Sequence, residues 1–502
     1  MDLQYKIKYN NWTMSTSGMF KKFFFTILIL AFVSLLAFFH FKGVIYYDEG
    51  YILNSGLRIL QGQIPYRDFD FVYTPISILT TALFLKMFGV SVFAGRVGAL
   101  VISLLSLLAL YKLLKLITKN NLLNLSGLLF FIAWGPAHLN FLWPTMFAIC
   151  FFLFMNYFFL RGAVEKNKKY FILAGSMVAL MFFSKQNFGT GMLITGLLFF
   201  VIMKLKNTRI YLSYFIAGVA CISLVFLLFF LSTSSFTAFL QNMHVHTLQK
   251  IIIEKTIDTP FLYDGSWLTR IGKLLFYTAP LIFSLVAIFI ALKRKKKILA
   301  AIGIFSGAFY LMGIRPVTDY IHLTPLLSLS CLPLVIIVCY SKNKLIKDIF
   351  LLILVGLTVV GFYRAYYAGY YKWDWPLRYH TTFADNPRLR VYLTEEKARN
   401  SEELIKYIDT HVAPDEYIFV NYYSPLLYFL ADRRNISRFD YVSPTAIPLS
   451  YQEDTIKALR KNKVPLVIMN NNNKDEKSLL ADFINKNYSK KRAIADYILY
   501  TK

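Results

Sequence analysis

The feature that most constrains this chain is a succession of apolar runs, each about as long as one bilayer crossing, separated by short clusters of lysine and arginine. Phe23 to Phe41 is the first of them, nineteen residues without Asp, Glu, Lys or Arg. A hydrocarbon core about 30 Å thick takes about 20 apolar residues in a helix, so this run has room for one crossing and no more. Further runs follow near 94–114, 122–135, 144–160, 210–231, 271–292, 298–314, 323–340 and 345–363. The stretch 170–203 is long enough for two, broken at Ser184-Lys185-Gln186-Asn187-Phe188-Gly189. The pattern predicts about eleven transmembrane helices. With 57% of its 502 residues apolar, the chain is a polytopic membrane protein.

The formal net charge of +27 does not point to nucleic acid. The basic residues stand between apolar runs, as at Lys112, Lys115 and Lys119, at Arg161 to Lys169, and at Lys293-Arg294-Lys295-Lys296-Lys297. Such clusters mark cytoplasmic loops. Lys6, Lys8, Lys21 and Lys22 place the N-terminus in the cytoplasm, and every later basic cluster agrees with the alternation that follows. No small-residue cleavage site follows the first run, which reads as a retained span in the cell (inner) membrane. Cys150, Cys221, Cys331 and Cys339 all lie inside apolar runs, with neither a disulfide framework nor metal-ligand spacing.

Two segments lie outside this pattern. Residues 42–93 form a long first outer loop. Within it, Pro75 to Gly89 is apolar but too short to span, and predicts a helix along or dipping into the outer surface. From about 370 the composition changes. Ser401 to His411, Tyr417 to Val420, Pro425 to Ala431, Gln452 to Asn462, Val464 to Met469, Lys477 to Lys486 and Ala493 to Tyr500 alternate helix-period and strand-like character. The chain therefore divides into a membrane domain, 1–369, and a small extracytoplasmic α/β domain, 370–502, entered past Trp373 and Trp375 at the membrane edge. That domain holds no glycine-rich phosphate loop.

The topology sorts the unusual polar residues onto the outer side. Asp48 and Glu49 follow the first span directly, between tyrosines that suit the interface. As an isolated acidic pair they read equally as the start of a solvated loop. Asp68, Asp70 and Tyr73 share their loop, and His138, Lys185, Gln186, His244, His246, Arg315, Asp319 and His322 fall at outer span ends or in outer loops. Lys185 and Arg315 oppose the positive-inside bias. They either snorkel to lipid headgroups or hold a phosphate, Arg through a bidentate fork and Lys as a point charge. His322 and Gln186 could join that phosphate site. Asp68, Asp70, Tyr73 and His138 are candidates for sugar or acceptor contacts. A carboxylate base beside a cationic clamp suits one reaction: a sugar leaves a polyprenyl phosphate while the carboxylate takes a proton from the acceptor hydroxyl.

In this arrangement the chain resembles the GT-C membrane glycosyltransferases, and most nearly the protein O-mannosyltransferases and the bacterial aminoarabinose transferases. The resemblance rests on Asp48-Glu49 after the first span and on Gly62-Gln63-Ile64-Pro65-Tyr66-Arg67-Asp68 with Pro75 beyond it. Phe88 to Arg96, Lys185, Arg315 and His322 continue it in order. It implies inverting transfer from a polyprenyl-phosphate-linked sugar, with Asp48 as base and Glu49 orienting the site. Two positions depart. Aminoarabinose transferases carry a lysine where Thr74 stands and an acidic residue where Trp143 stands. The partners implied are the lipid-linked donor, a protein, lipid or glycan acceptor, and the bilayer; nucleic acid is excluded. No cofactor is indicated. A divalent metal is compatible with the chemistry, but no ligand set points to one.

Two other classes compete. A transporter or flippase of lipid-linked saccharides would place charge at mid-bilayer and show paired repeats, and neither is visible here. A signalling protein with an outer sensor domain leaves Lys185, Arg315 and the acidic pair unexplained.

Overall fold

A computed structural model describes residues 16–203, 207–244, 265–314, 320–368, 377–421, 424–440, 449–471 and 478–502. Each of the eleven predicted crossings is helical. They are α1 (Thr16–His40), α4 (Val92–Ile117), α5 (Asn121–Trp134), α6 (Pro144–Glu165), α7 (Lys168–Ser184), α8 (Gln186–Met203) and α9 (Thr208–Ser232), followed by α10 (Trp267–Lys293), α11 (Lys297–Ile314), the pair α12 (Tyr320–Leu327) and α13 (Cys331–Tyr340), and α14 (Lys344–Tyr363). Among the described residues, seven helical segments are long and apolar enough to span a membrane by length and composition. The loop 42–93 adds α2 (Asp48–Leu60) and α3 (Ile76–Phe88), the latter on the stretch expected to be helical but not spanning.

Local chemistry sets these boundaries. Ser91, Asn120, Asn167 and Asn343 cap α4, α5, α7 and α14 by accepting backbone N–H groups, and Pro144 opens α6. The break between α7 and α8 is a single residue, Lys185, held extended at φ −152°. The segment of α12 and α13 is buried almost all round, whereas α9 and α14 expose most of their surface. Val225, Phe289 and Leu352, each more than 60% exposed, lie on that apolar exterior, where lipid replaces water as the solvent.

The C-terminal region is a five-stranded mixed sheet. Its strands are β1 (Tyr417–Asn421), β2 (Arg434–Asn435), β3 (Leu466–Asn470), β4 (Ser489–Ile494) and β5 (Tyr497–Thr501), in the order β2-β1-β3-β5-β4. The pairings of β1 with β2 and β3 are parallel; those of β5 with β3 and β4 are antiparallel. Helices α15 (Glu395–His411), α16 (Leu426–Ala431), α17 (Leu449–Asn462) and α18 (Leu479–Asn487) pack on it. The last predicted segment, Ala493 to Tyr500, is two strands rather than one, because the chain reverses at Ala495, where φ is 49°.

This domain is fastened to the loop 42–93. The Leu426 N–H donates to the Tyr46 carbonyl at 3.1 Å, and a Cβ at Gly50 would lie 2.3 Å from the Leu426 nitrogen, so α2 and α16 meet where only glycine fits. Arg58 pairs with Asp440 at 2.8 Å, and both side chains are buried. Backbone hydrogen bonds join Gly43 to Tyr392, Val92 to Arg388 and Asp70 to Arg438. Val44, Leu53, Leu57, Leu85 and Val92 share one apolar cluster with Leu389, Val391, Leu393, Leu426 and Phe429.

Candidate active site

The acidic pair opens α2, and a helix turns about 100° per residue, so its two carboxylates cannot point the same way. Glu49 faces inward. Its Oε1 and Oε2 accept from Arg96 Nε at 2.5 Å and from a terminal Arg96 nitrogen at 2.7 Å, and Oε2 also accepts the Ile45 N–H at 3.1 Å. Arg96 donates further to the carbonyls of His40, Gly43 and Asn140. Both side chains are 2% exposed or less. This forked pair ties the end of α1, the start of α2 and the start of α4 together, and it occupies both Glu49 oxygens. Asp48 lies in the first turn, half-buried. The exposed N–H groups and dipole of that helix end favour negative charge there.

One turn along α2, Tyr51 lies on the same face as Asp48. Its hydroxyl accepts the Val72 N–H at 2.9 Å. Val72 in turn accepts, through its carbonyl, from the Gln186 amide nitrogen at 3.5 Å, and the Thr74 hydroxyl donates to the Phe182 carbonyl at 2.6 Å. The bent strip around Val72 therefore joins the Asp48 face of α2 to the α7–α8 junction.

At that junction Lys185 is 5% exposed. Its Nζ donates to Thr145 Oγ1 at 3.0 Å and lies 5.7 Å from the ring centre of Tyr73 and 5.3 Å from that of Phe188. Low dielectric strengthens the pull of such an ammonium on a phosphate. Tyr73 meets Trp143 edge to face, with ring centres 5.2 Å apart. The Trp143 indole N–H and the Gln186 side-chain oxygen are buried without a hydrogen-bond partner.

Asn187 donates to the Met312 carbonyl at 2.8 Å, so the end of α11 reaches the start of α8. Leu326 of α12 closes on Gly313 beside Phe188, and His322 stands one turn before Leu326. Arg315, Asp319, His246, Glu254, Asp258, Asp264, Trp373 and Trp375 lie outside the described residues. Among the described residues, no three His, Cys, Asp or Glu side chains are grouped to hold a metal.

Three candidates sit inside the scaffold. Asp68 accepts the Ile64 N–H at 2.7 Å and two Arg67 donors, closing the turn in which Tyr66 has φ 68°. Its hydrogen bond to Arg67 holds the carboxyl below the usual carboxylate range. His138 turns toward α14, bonding the Gly361 carbonyl at 3.2 Å and stacking on Trp134. Burial, with the nearby Arg364 charge, pushes its pKa down to about 3, so it is neutral. Asp70 is buried, accepts from Asn242, and donates its backbone N–H to Arg438. Three pairings have no local sequence signal: Arg96 with Glu49, Thr145 with Lys185, and Arg58 with Asp440.

The model of the dolichyl-phosphate-mannose-protein mannosyltransferase family matches residues 73–239. No curated protein sequence matches the chain. Among solved structures, ArnT from Cupriavidus metallidurans in the apo state is similar over 96% of this chain and 98% of its own, with a TM-score of 0.55 and 13% identity. The same protein bound to undecaprenyl phosphate gives 0.53 and 13%, over 95% of this chain and 97% of its own. The oligosaccharyltransferase of Archaeoglobus fulgidus gives 0.50 and 12% identity, over 91% of this chain and 70% of its own. At these identities the likeness is one of fold, and it is the GT-C fold.

Proposed function

We propose that this chain, a multi-pass membrane protein with the GT-C fold, transfers a sugar from a polyprenyl-phosphate carrier to an acceptor hydroxyl. The site lies on the extracytoplasmic face, and Asp48 is the general base. The observation that carries this reading is the meeting of α2 and the α7–α8 junction at one end of the bundle through the strip around Val72. A carboxylate at a helix N-terminus and a buried ammonium thereby border one region. The matched family is named for a dolichyl-phosphate-linked mannose, and the similar ArnT structure holds undecaprenyl phosphate; both make a lipid phosphate the natural carrier.

Asp48 accepts the acceptor's hydroxyl proton as that oxygen bonds to the anomeric carbon. The bond from that carbon to the phosphate oxygen breaks, and the lipid phosphate leaves with both electrons. Lys185 holds the departing charge, joined by His322 and Arg315. A single displacement from the face opposite the phosphate inverts the anomeric centre. Glu49, engaged with Arg96, fixes the helix that carries Asp48.

In proteoliposomes supplied with a radiolabelled undecaprenyl-phosphate sugar and membrane acceptors, Asp48→Asn is expected to cut transfer by about 100-fold or more while inserting and purifying like the parent. Undiminished transfer by that variant removes Asp48 from the mechanism.

A further inference from the structure

Two polar atoms beside Lys185 have no partner within the protein. The indole N–H of Trp143 belongs to a side chain 4% exposed, and the side-chain oxygen of Gln186 is likewise buried. An unmade hydrogen bond to a buried group costs on the order of 1–3 kcal/mol, so each is a group that a ligand can satisfy. Both are held in place. Trp143 lies just before the N-terminal proline of α6 and packs against Tyr73 and Phe141. The Val72 carbonyl takes the amide nitrogen of Gln186, which leaves the oxygen as that side chain's open group. Both residues border the Val72-Tyr73 segment, and Lys185, next to Gln186, bonds Thr145, two residues past Trp143.

We propose that Trp143 and Gln186 form the subsite for the sugar of the donor, and that this subsite selects a neutral, hydroxyl-bearing ring. The argument is one of valence. One open group donates and the other accepts. A phosphate only accepts, so it satisfies Trp143 and opposes the Gln186 oxygen. An ammonium only donates: it satisfies Gln186, cannot take the indole N–H, and meets the like charge of Lys185. Sugar hydroxyls do both. The edges and faces of Tyr73, Phe141 and Trp143 supply an apolar wall for the C–H face of the ring, next to the ammonium that takes the phosphate. Trp143 thus becomes a specificity-determining residue, and Gln186 reads the sugar rather than the phosphate.

This inference rests on the donor reading above, and the test separates the two. Binding of undecaprenyl phosphate, undecaprenyl phosphoryl mannose and undecaprenyl phosphoryl 4-amino-4-deoxyarabinose to the purified full chain would be measured for the parent and for Trp143→Phe, which keeps the ring and loses the N–H. The parent is expected to bind the mannosyl lipid more tightly than the other two. Trp143→Phe should lose about tenfold for the mannosyl lipid and little for bare undecaprenyl phosphate. The bare lipid thereby reports whether the variant is folded. If the variant does not fold, the parent's preference among the three lipids decides. Equal losses for all lipids, no parental preference for the mannosyl lipid, or a preference for the amino sugar would overturn the subsite. Failure of the parent to bind any of the three would overturn the donor reading and the subsite together.

Discussion

Asp48 and Glu49 adjoin in the chain but stand about 100° apart around α2, one on the Tyr51 face and one paired with Arg96. An Asp-Glu pair in sequence suggests two carboxylates in one site; a helical backbone separates them and gives them different tasks. His138 shows a similar division between chemical type and place. Its bond to Gly361 and its burial make it part of the frame, and its depressed pKa has a consequence for acid stability. The unfolded chain takes up a proton near pH 6.5, whereas the folded chain does so only near 3. Between those values the unfolded state binds the extra proton, so stability falls as the pH drops through that window. At pH 5 the loss is about 2 kcal/mol from this group. Melting curves in detergent at pH 7 and pH 5 should show a smaller acid penalty for His138→Gln than for the parent. An equal penalty would assign the acid sensitivity to other groups.

Among the elements, α2 does the most positioning. It opens with Asp48, hooks α4 through Glu49, receives α16 at Gly50, and holds Asp440 with Arg58. Gly50→Ala forces a methyl group into the Leu426 backbone and is expected to lower stability by about 1–3 kcal/mol through overpacking. Transfer should fall with it, because the same helix carries Asp48. Gly356→Ala, inside α14 where a Cβ meets nothing within 4 Å, serves as the matched control and should not lower the melting temperature. A melting temperature for Gly50→Ala equal to the control would mean that the two helices can part without cost.

At the scale of the whole molecule, the apolar helices were legible because lipid imposes a length and a composition on every segment it solvates. The change of composition near residue 370 marked the C-terminal sheet domain. What stayed hidden depended on contacts between distant segments. Nothing local in Arg58 or Asp440 announces a partner 382 positions away, and nothing in Trp143 distinguishes an interfacial ring from one with an open N–H. The C-terminal domain's apolar share of its junction with the loop 42–93, including Leu426 and Phe429, makes a further prediction. Residues 1–369 and 370–502, expressed as separate chains in one cell with an export signal on the second, should purify together, and the second alone should aggregate. A monodisperse, soluble second piece would show that its fold does not need the loop. The glycine contact between α2 and α16 also bears on grafting. Because a Cβ at position 50 meets the Leu426 backbone, a transplanted C-terminal domain can seat on this loop only while that position stays glycine.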